Sequence, residues 1–211
     1  MAIDDLLDEH EQGEKVRSWL QSNAFGLVGG VALGLALIGG WQWWQRQQEA
    51  ARIQAGDHYQ SAVDSIHRSN IKQAQALVSA LPRGTYATLA ALELAKAQLD
   101  AGQREAAIAT LRATNASEPA LSAVVTQRLA RLLIDAGKAE DALKLLPAQS
   151  SDAEMLQVRG DAQYALGHPD DARAAYAQAL MHMDIGAPQR RLVELKLSEV
   201  GGSTAKPEAK T

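Results

Sequence analysis

Cysteine is absent from this chain, so a disulfide and a thiolate metal site are both excluded. Aromatic residues make up only 4% of the 211, with a single phenylalanine. A composition rich in alanine and poor in aromatics favours closely packed helices over a β-sandwich. No Asp, Glu, Lys or Arg occurs between Arg17 and Arg46. An excess of positive charge is also lacking. Residues 1–17 carry Asp4, Asp5, Asp8, Glu9, Glu11 and Glu14 against Lys15 and Arg17, a balance of −4 that equals the net charge of the whole chain. Residues 18–211 therefore sum to zero, and a neutral domain offers no electrostatic footprint for nucleic acid.

The uncharged gap is the most informative stretch. Ala24 to Trp41 is an unbroken run of apolar or small residues, and all four tryptophans bracket it: Trp19 before, Trp41, Trp43 and Trp44 after. On a helix Trp19 and Trp41 would stand about 33 Å apart, close to the thickness of about 30 Å of a bilayer's hydrocarbon core. Indole rings prefer the headgroup boundary, so the two clusters predict the two belts of one transmembrane helix over residues 19–44 in contact with the lipid bilayer. A cleaved signal peptide would start with basic residues and have a shorter apolar run; here the start is acidic and the run begins late. The flanking charges, Lys15 and Arg17 against Arg46 and Arg52, nearly balance, so charge alone leaves the orientation open. Gly26, Gly30 and Gly34 recur every four residues and align on one helical face. Such a small-residue face lets membrane helices dock closely, although glycine is also simply common in spans.

After the span, residues 45–200 read as a repeat domain and 201–211 as a small, polar, disordered tail. No Gly or Pro interrupts Trp44 to Ala55, which predicts a polar helix continuing from the span. Ala153 to Leu180 then shows the clearest unit: Gly160, Tyr164, Gly167, Pro169, Ala172, Tyr176 and Ala179. This resembles the tetratricopeptide repeat, a helix–turn–helix of about 34 residues. Gly160 would let two helices approach closely, Gly167 would close the first in a left-handed cap, and Pro169 would open the second. Tyr176 is expected to fill the gap between units. The same skeleton recurs with Ala130, Gly137 and Ala142, with Ala95, Gly102 and Ala107, and more faintly with Ala62, Ser69-Asn70 and Ala74. Leu89, Leu92 and Leu99, and Leu129, Leu132 and Leu133, show helical spacing. A plain helical bundle is the competing reading. The expected fold is all-α: one N-terminal transmembrane helix, then a tetratricopeptide-like α-solenoid of about four helical hairpins, each burying its apolar face on a neighbour. A capping helix over Gln189–Val200 would seal the last hairpin with Leu192, Val193, Leu195, Leu197 and Val200.

The residues show no sign of an enzyme. His10, His58, His67, His168 and His182 lack neighbours at metal-ligand spacing, and no serine sits in a nucleophile elbow. Glycines of a phosphate loop are missing, because the clustered ones lie in the span. Asp170-Asp171 complement a helix dipole. No catalytic, cofactor-binding or metal residue is assigned. The remaining candidate site is the concave face of the solenoid, lined by the first helix of each hairpin, where Lys96, Arg131, Asp161 and Tyr164 are expected. It would suit an extended peptide or a partner's edge; an ordinary solvated face is the plainer alternative.

Taken together, the acidic residues 1–18, Val16-Arg17-Ser18-Trp19-Leu20, Asn23, the glycine-studded span, Ile38-Gly39-Gly40-Trp41-Gln42-Trp43-Trp44, weak tetratricopeptide hairpins and Leu192-Val193-Glu194-Leu195-Lys196-Leu197 resemble the ancillary SecYEG translocon subunit family of Gram-negative bacteria (YfgM type). The resemblance covers the chain to about Val200. It implies a single-span inner-membrane protein with a cytoplasmic N-terminus and periplasmic repeats. It further implies association with the SecYEG translocon and with a PpiD-type periplasmic chaperone, help in handing over exported proteins, and a link from the acidic tail to a cytoplasmic stress-response regulator. It brings no catalytic residues or cofactors. A tetratricopeptide adaptor for envelope assembly, cell division or stress signalling, with no translocon role, remains open.

Overall fold

A computed structural model of the chain describes residues 2–203, with side chains from residue 15 onward. The expected disorder of the C-terminal tail thus falls, from residue 204, outside the described residues, as do the acidic side chains before residue 15. Among the described residues there are helices and no strands: α1 Ala2–His67, α2 Ile71–Ala80, α3 Thr85–Asp100, α4 Arg104–Ala113, α5 Pro119–Asp135, α6 Ala139–Leu145, α7 Ala153–Ala165, α8 Pro169–His182 and α9 Arg190–Glu199. The chain divides into two compact units at Gln54/Ala55. The first is the N-terminal part of α1, whose most apolar stretch is wholly unburied. The second runs from the last turns of α1 through α9.

Proline placement explains several boundaries. No proline precedes Pro82, so nothing removes a backbone donor from α1, which runs on into the first hairpin. Pro119 and Pro169 stand in the first turns of α5 and α8, where a missing N–H costs nothing. The second unit is four hairpins: the end of α1 with α2, α3 with α4, α5 with α6, and α7 with α8. One turn recurs in all four. Gly102, Gly137 and Gly167 have φ of 74°, 72° and 78°, and Ser69 takes the same place at φ 58°. The amide after each donates to a carbonyl five residues back: Asn70 to Ser65, Gln103 to Gln98, Lys138 to Leu133, His168 to Gln163. This is the Schellman cap, which satisfies the helix-end carbonyls and reverses the chain. Ser69 makes it without glycine, a cost of about 1 kcal/mol. That is the physical content of the first hairpin's faint signature.

The small residues stand at a constant distance from these turns. Ala62, Ala95, Ala130 and Gly160 lie seven before the left-handed residue, and Ala74, Ala107, Ala142 and Ala172 five after it; all are buried. Alanine and glycine there let the two helices of a hairpin pack closely. At Gly160 the approach is tightest: a Cβ would lie 2.6 Å from Cδ1 of Tyr176. Tyr176 therefore closes on Gly160 inside its own hairpin and, in the same cluster as Leu156, meets Val193, Leu197 and Val200 of the α9 segment, so it packs both within its hairpin and against the next element. A second cluster links α3 to α7 through Leu92, Ile108, Leu111, Leu129, Leu133, Leu146 and Val158. A third joins Ile66, Ala74 and Leu94.

Two apolar assignments need correction. On α3 the deeply buried leucine is Leu94, while Leu99 is 40% exposed. The reason is that α3 is covered on more than one side, so its buried residues do not form one stripe. On α9, Val193, Leu197 and Val200 are buried as expected, but Leu192 and Leu195 are exposed, because a terminal helix packs on one side only. The helix is secured by arginines on free carbonyls. Arg190 Nη1 donates to Leu180 O (3.0 Å) and Met183 O (3.1 Å), and Arg173 Nε donates to Val200 O (2.8 Å).

Gly160→Ala should destabilise the second unit by about 1–3 kcal/mol through overpacking, even though alanine favours helices over glycine by about 1 kcal/mol. Gly56→Ala should keep that propensity gain, since its new methyl meets the Tyr86 ring at an ordinary 3.8 Å. Thermal melts of the full chain in detergent, followed by circular dichroism, should move in opposite directions. Shifts of one sign would contradict the packing argument.

Candidate functional site

The first helices of the hairpins repeat a register set by their turns. Lys96, Arg131 and Asp161 each lie six residues before the turn glycine, and Leu99, Ile134 and Tyr164 lie three before it. Between α3 and α5 this register opens a groove of about 340 Å³ lined by Leu92, Ala95, Lys96, Leu99, Leu111, Arg128, Arg131, Leu132 and Asp135. An adjoining groove of about 410 Å³ lies between the end of α1 and α3, with His67, Glu93, Lys96 and Asp100 among its walls. Lys96 lines both. The structure thus brings Lys96 and Arg131 together, on opposite walls of one cleft with an apolar floor.

Asp161 and Tyr164 are engaged elsewhere. Lys196 Nζ of α9 donates to both carboxylate oxygens of Asp161 at 2.7 and 2.8 Å, and the Tyr176 hydroxyl donates to Asp161 Oδ1 at 2.8 Å. The Tyr164 hydroxyl donates to Glu199 Oε1 at 3.1 Å. Both residues thus tie the last hairpin to α9. Burial and the hydrogen bond to Asp161 push the Tyr176 phenol far above its ordinary range, and the bond to Glu199 raises that of Tyr164. The groove residues that sequence reasoning missed are Arg128 and the apolar floor. Arg128 stands three residues before Arg131, a spacing that places both on one helical face and was readable from the sequence. The floor was not readable, because Leu111 comes from α4, on the far arm of a hairpin.

The first unit carries the other candidate residues. Gly26, Gly30 and Gly34 occupy one face of α1, and a Cβ at any of them would meet nothing within 4 Å. Trp19, Trp41, Trp43 and Trp44 are all exposed, with Trp41 and Trp44 rings 5.4 Å apart. The helix reaches a mean hydropathy of 1.8 over its most apolar window and is long and apolar enough to cross a membrane. At the start of that stretch Ser22 Oγ and Asn23 Nδ2 donate to the Trp19 carbonyl at 3.0 and 2.9 Å. Such bonds supply polar side chains with partners on the helix itself, as lipid requires. Among the described residues no group of three or more His, Asp or Glu side chains could hold a metal ion.

Turns in step, small residues at fixed offsets and stacked hairpins are the geometry of a helical repeat array, and the model of the tetratricopeptide repeat-like domain family matches residues 17–202. The chain belongs to that family. The family match includes the apolar part of α1 as well as the hairpins. The chain is also similar along its length to three curated proteins, each named ancillary SecYEG translocon subunit. The Escherichia coli (strain K12) protein is 29% identical over 92% of this chain and 97% of its own length. The Haemophilus influenzae protein is 26% identical over 82% of this chain and 89% of its own. The Aggregatibacter actinomycetemcomitans protein is 23% identical over 92% and 98%. No solved structure matches the chain.

The Asp161 network makes stability pH-dependent at the alkaline end. A phenol whose folded pKa lies above its unfolded value, about 10, contributes stability that is complete below that pH and is lost as the pH climbs past it toward the folded pKa. Urea unfolding of the full chain should therefore weaken above about pH 10. Tyr176→Phe should be less stable at neutral pH by about 1–3 kcal/mol, for one lost hydrogen bond to a charged acceptor, and should decline less steeply above pH 10. Parallel profiles for the two proteins would assign the alkaline loss to other groups.

Proposed function

We propose that the chain is a non-enzymatic, membrane-anchored scaffold associated with the SecYEG translocon. The observation that carries this reading is end-to-end similarity to proteins bearing that name, which includes the apolar helix and the repeats together. A helical repeat alone would suit many adaptors; the pairing with a single apolar helix is what narrows it.

In this reading residues 19–44 cross the inner membrane, with the Trp19 and Trp41/Trp43/Trp44 belts at the two headgroup layers. Residues 1–18 lie in the cytoplasm and the repeats, 45–200, in the periplasm. Gly26, Gly30 and Gly34 seat α1 against a membrane helix of the translocon, since small residues allow the close approach on which helix association in lipid depends. The cleft between α3 and α5 holds a membrane-anchored periplasmic chaperone of the PpiD type, or a segment of an exported chain on its way to one. The acidic N-terminal residues offer a contact for a cytoplasmic stress-response regulator. Tethering makes modest affinities sufficient. Partners fixed to the same membrane meet at effective concentrations in the millimolar range when the tether spans the gap.

A Gly30→Leu variant should recover several-fold less SecYEG on co-purification from detergent-solubilised membranes, with its own insertion unchanged. Alkaline phosphatase fused after Thr211 should be active, because the enzyme matures only outside the cytoplasm. An inactive fusion would reverse the orientation. An active fusion with full SecYEG recovery from Gly30→Leu would remove the glycine face from the translocon contact.

A further inference from the structure

We infer that the cleft between α3 and α5 is built for an extended segment of a partner protein that offers an apolar side chain beside a carboxylate. The inference rests on the reading of that cleft as a binding face and adds the chemistry of what enters it.

The floor sets the first requirement. Leu92, Ala95, Leu111 and Leu132 are buried, and Leu99 stands 40% exposed above them. An apolar side chain laid into the cleft would cover Leu99 and gain the usual return for apolar area removed from water. The rim sets the second. Lys96 on α3 faces Arg128 and Arg131 on α5, and Asp135 is the one acid that lines the cleft with them. Arg128 has no ion-pair or hydrogen-bond partner among the described residues. Lys96 is held by Asp100 of its own helix at 3.1 Å, with both side chains about two-thirds exposed. Arg131 is held by Glu154 at 3.7 Å, again well exposed. Exposed pairs of this kind contribute about 0–1 kcal/mol, so a ligand carboxylate displaces Asp100 and Glu154 at little cost. Guanidinium groups receive a carboxylate through two parallel N–H donors, and Arg128 and Arg131 are adjacent on one helical face.

The adjoining cleft gives the segment a direction. It carries His67, Glu93 and Asp100 beside the shared Lys96. A segment long enough to cross both would lay its acidic end against α5 and its neutral or basic end against the end of α1.

The test uses the full chain in lipid nanodiscs and three fluorescein-labelled peptides of equal length: alternating leucine–glutamate, leucine–glutamine and leucine–lysine. The leucine–glutamate peptide should bind tightest and weaken as salt rises from ~50 to ~300 mM. Arg128→Glu and Leu99→Glu should each weaken it by about tenfold or more. Lys144→Glu, an exposed charge reversal on α6 away from the cleft, should leave it unchanged, and circular-dichroism melts should confirm that all variants fold. Equal binding of the three peptides, or no response to Arg128→Glu, overturns the inference. A photo-crosslinker at Leu99 in cells separates the two layers. Capture of a translocon subunit or its chaperone, with no peptide preference, keeps the cleft as a binding face and rejects the acidic–apolar chemistry. Failure of both readouts removes the cleft itself.

Discussion

The ring of Tyr176 occupies the space where a side chain on Gly160 would have to be, and that contact shows what holds the repeat domain together. Two helices of a hairpin pack closely only if the residues where they meet are alanine or glycine, and each hairpin meets this condition at the same two offsets from its turn. The turn itself satisfies the carbonyls at the end of the first helix and delivers the second helix in register. Once four hairpins are built alike, their larger side chains meet between neighbours, and leucine, isoleucine and valine from α3 to α7 form a continuous core. Overpacking at such a position costs about 1–3 kcal/mol, a sizeable share of the 5–15 kcal/mol by which a domain is stable. The offsets are therefore the least negotiable feature of the chain.

The same residues do different work in the other unit. In the hairpins, glycine and alanine meet a partner helix within the chain; in the apolar stretch of α1 the glycines meet nothing. Leucine, valine and tryptophan side chains are likewise exposed along that stretch. A helix that is apolar all round and unburied is stable where its surroundings are apolar, and close packing at its glycine face calls for another helix. Small residues thus meet a neighbouring helix of the chain in the second unit and stand uncovered in the first.

At the C-terminal end, polar contacts complete what apolar packing begins. Lys196, Asp161 and Tyr176 form a half-buried network in which every charge has a partner, and Arg173 and Arg190 donate to the carbonyls of Val200, Leu180 and Met183. These contacts tie α9 to the last hairpin. The cleft between α3 and α5 is different, because its cations are weakly held or unheld and its leucine is in water.

Much of this was legible before any coordinates. Periodicity, the turn residues at 69, 102, 137 and 167, and the small residues around them are local features, governed by backbone sterics and helix geometry, so the sequence by itself determined the all-α class, the hairpin count and the apolar helix. The six-residue offset of Lys96 and Arg131 from their turns is a local feature of the same kind. Other outcomes depended on contacts between residues far apart in the chain. Only the tertiary structure decided that Asp161 and Tyr164 would be taken up by α9, that Leu99 and Leu195 would stay in solvent, and that Leu111 from a second helix would floor the cleft. A helix's own sequence states how many apolar faces it has; which neighbour covers each, and which stays open, is settled by how the hairpins stack.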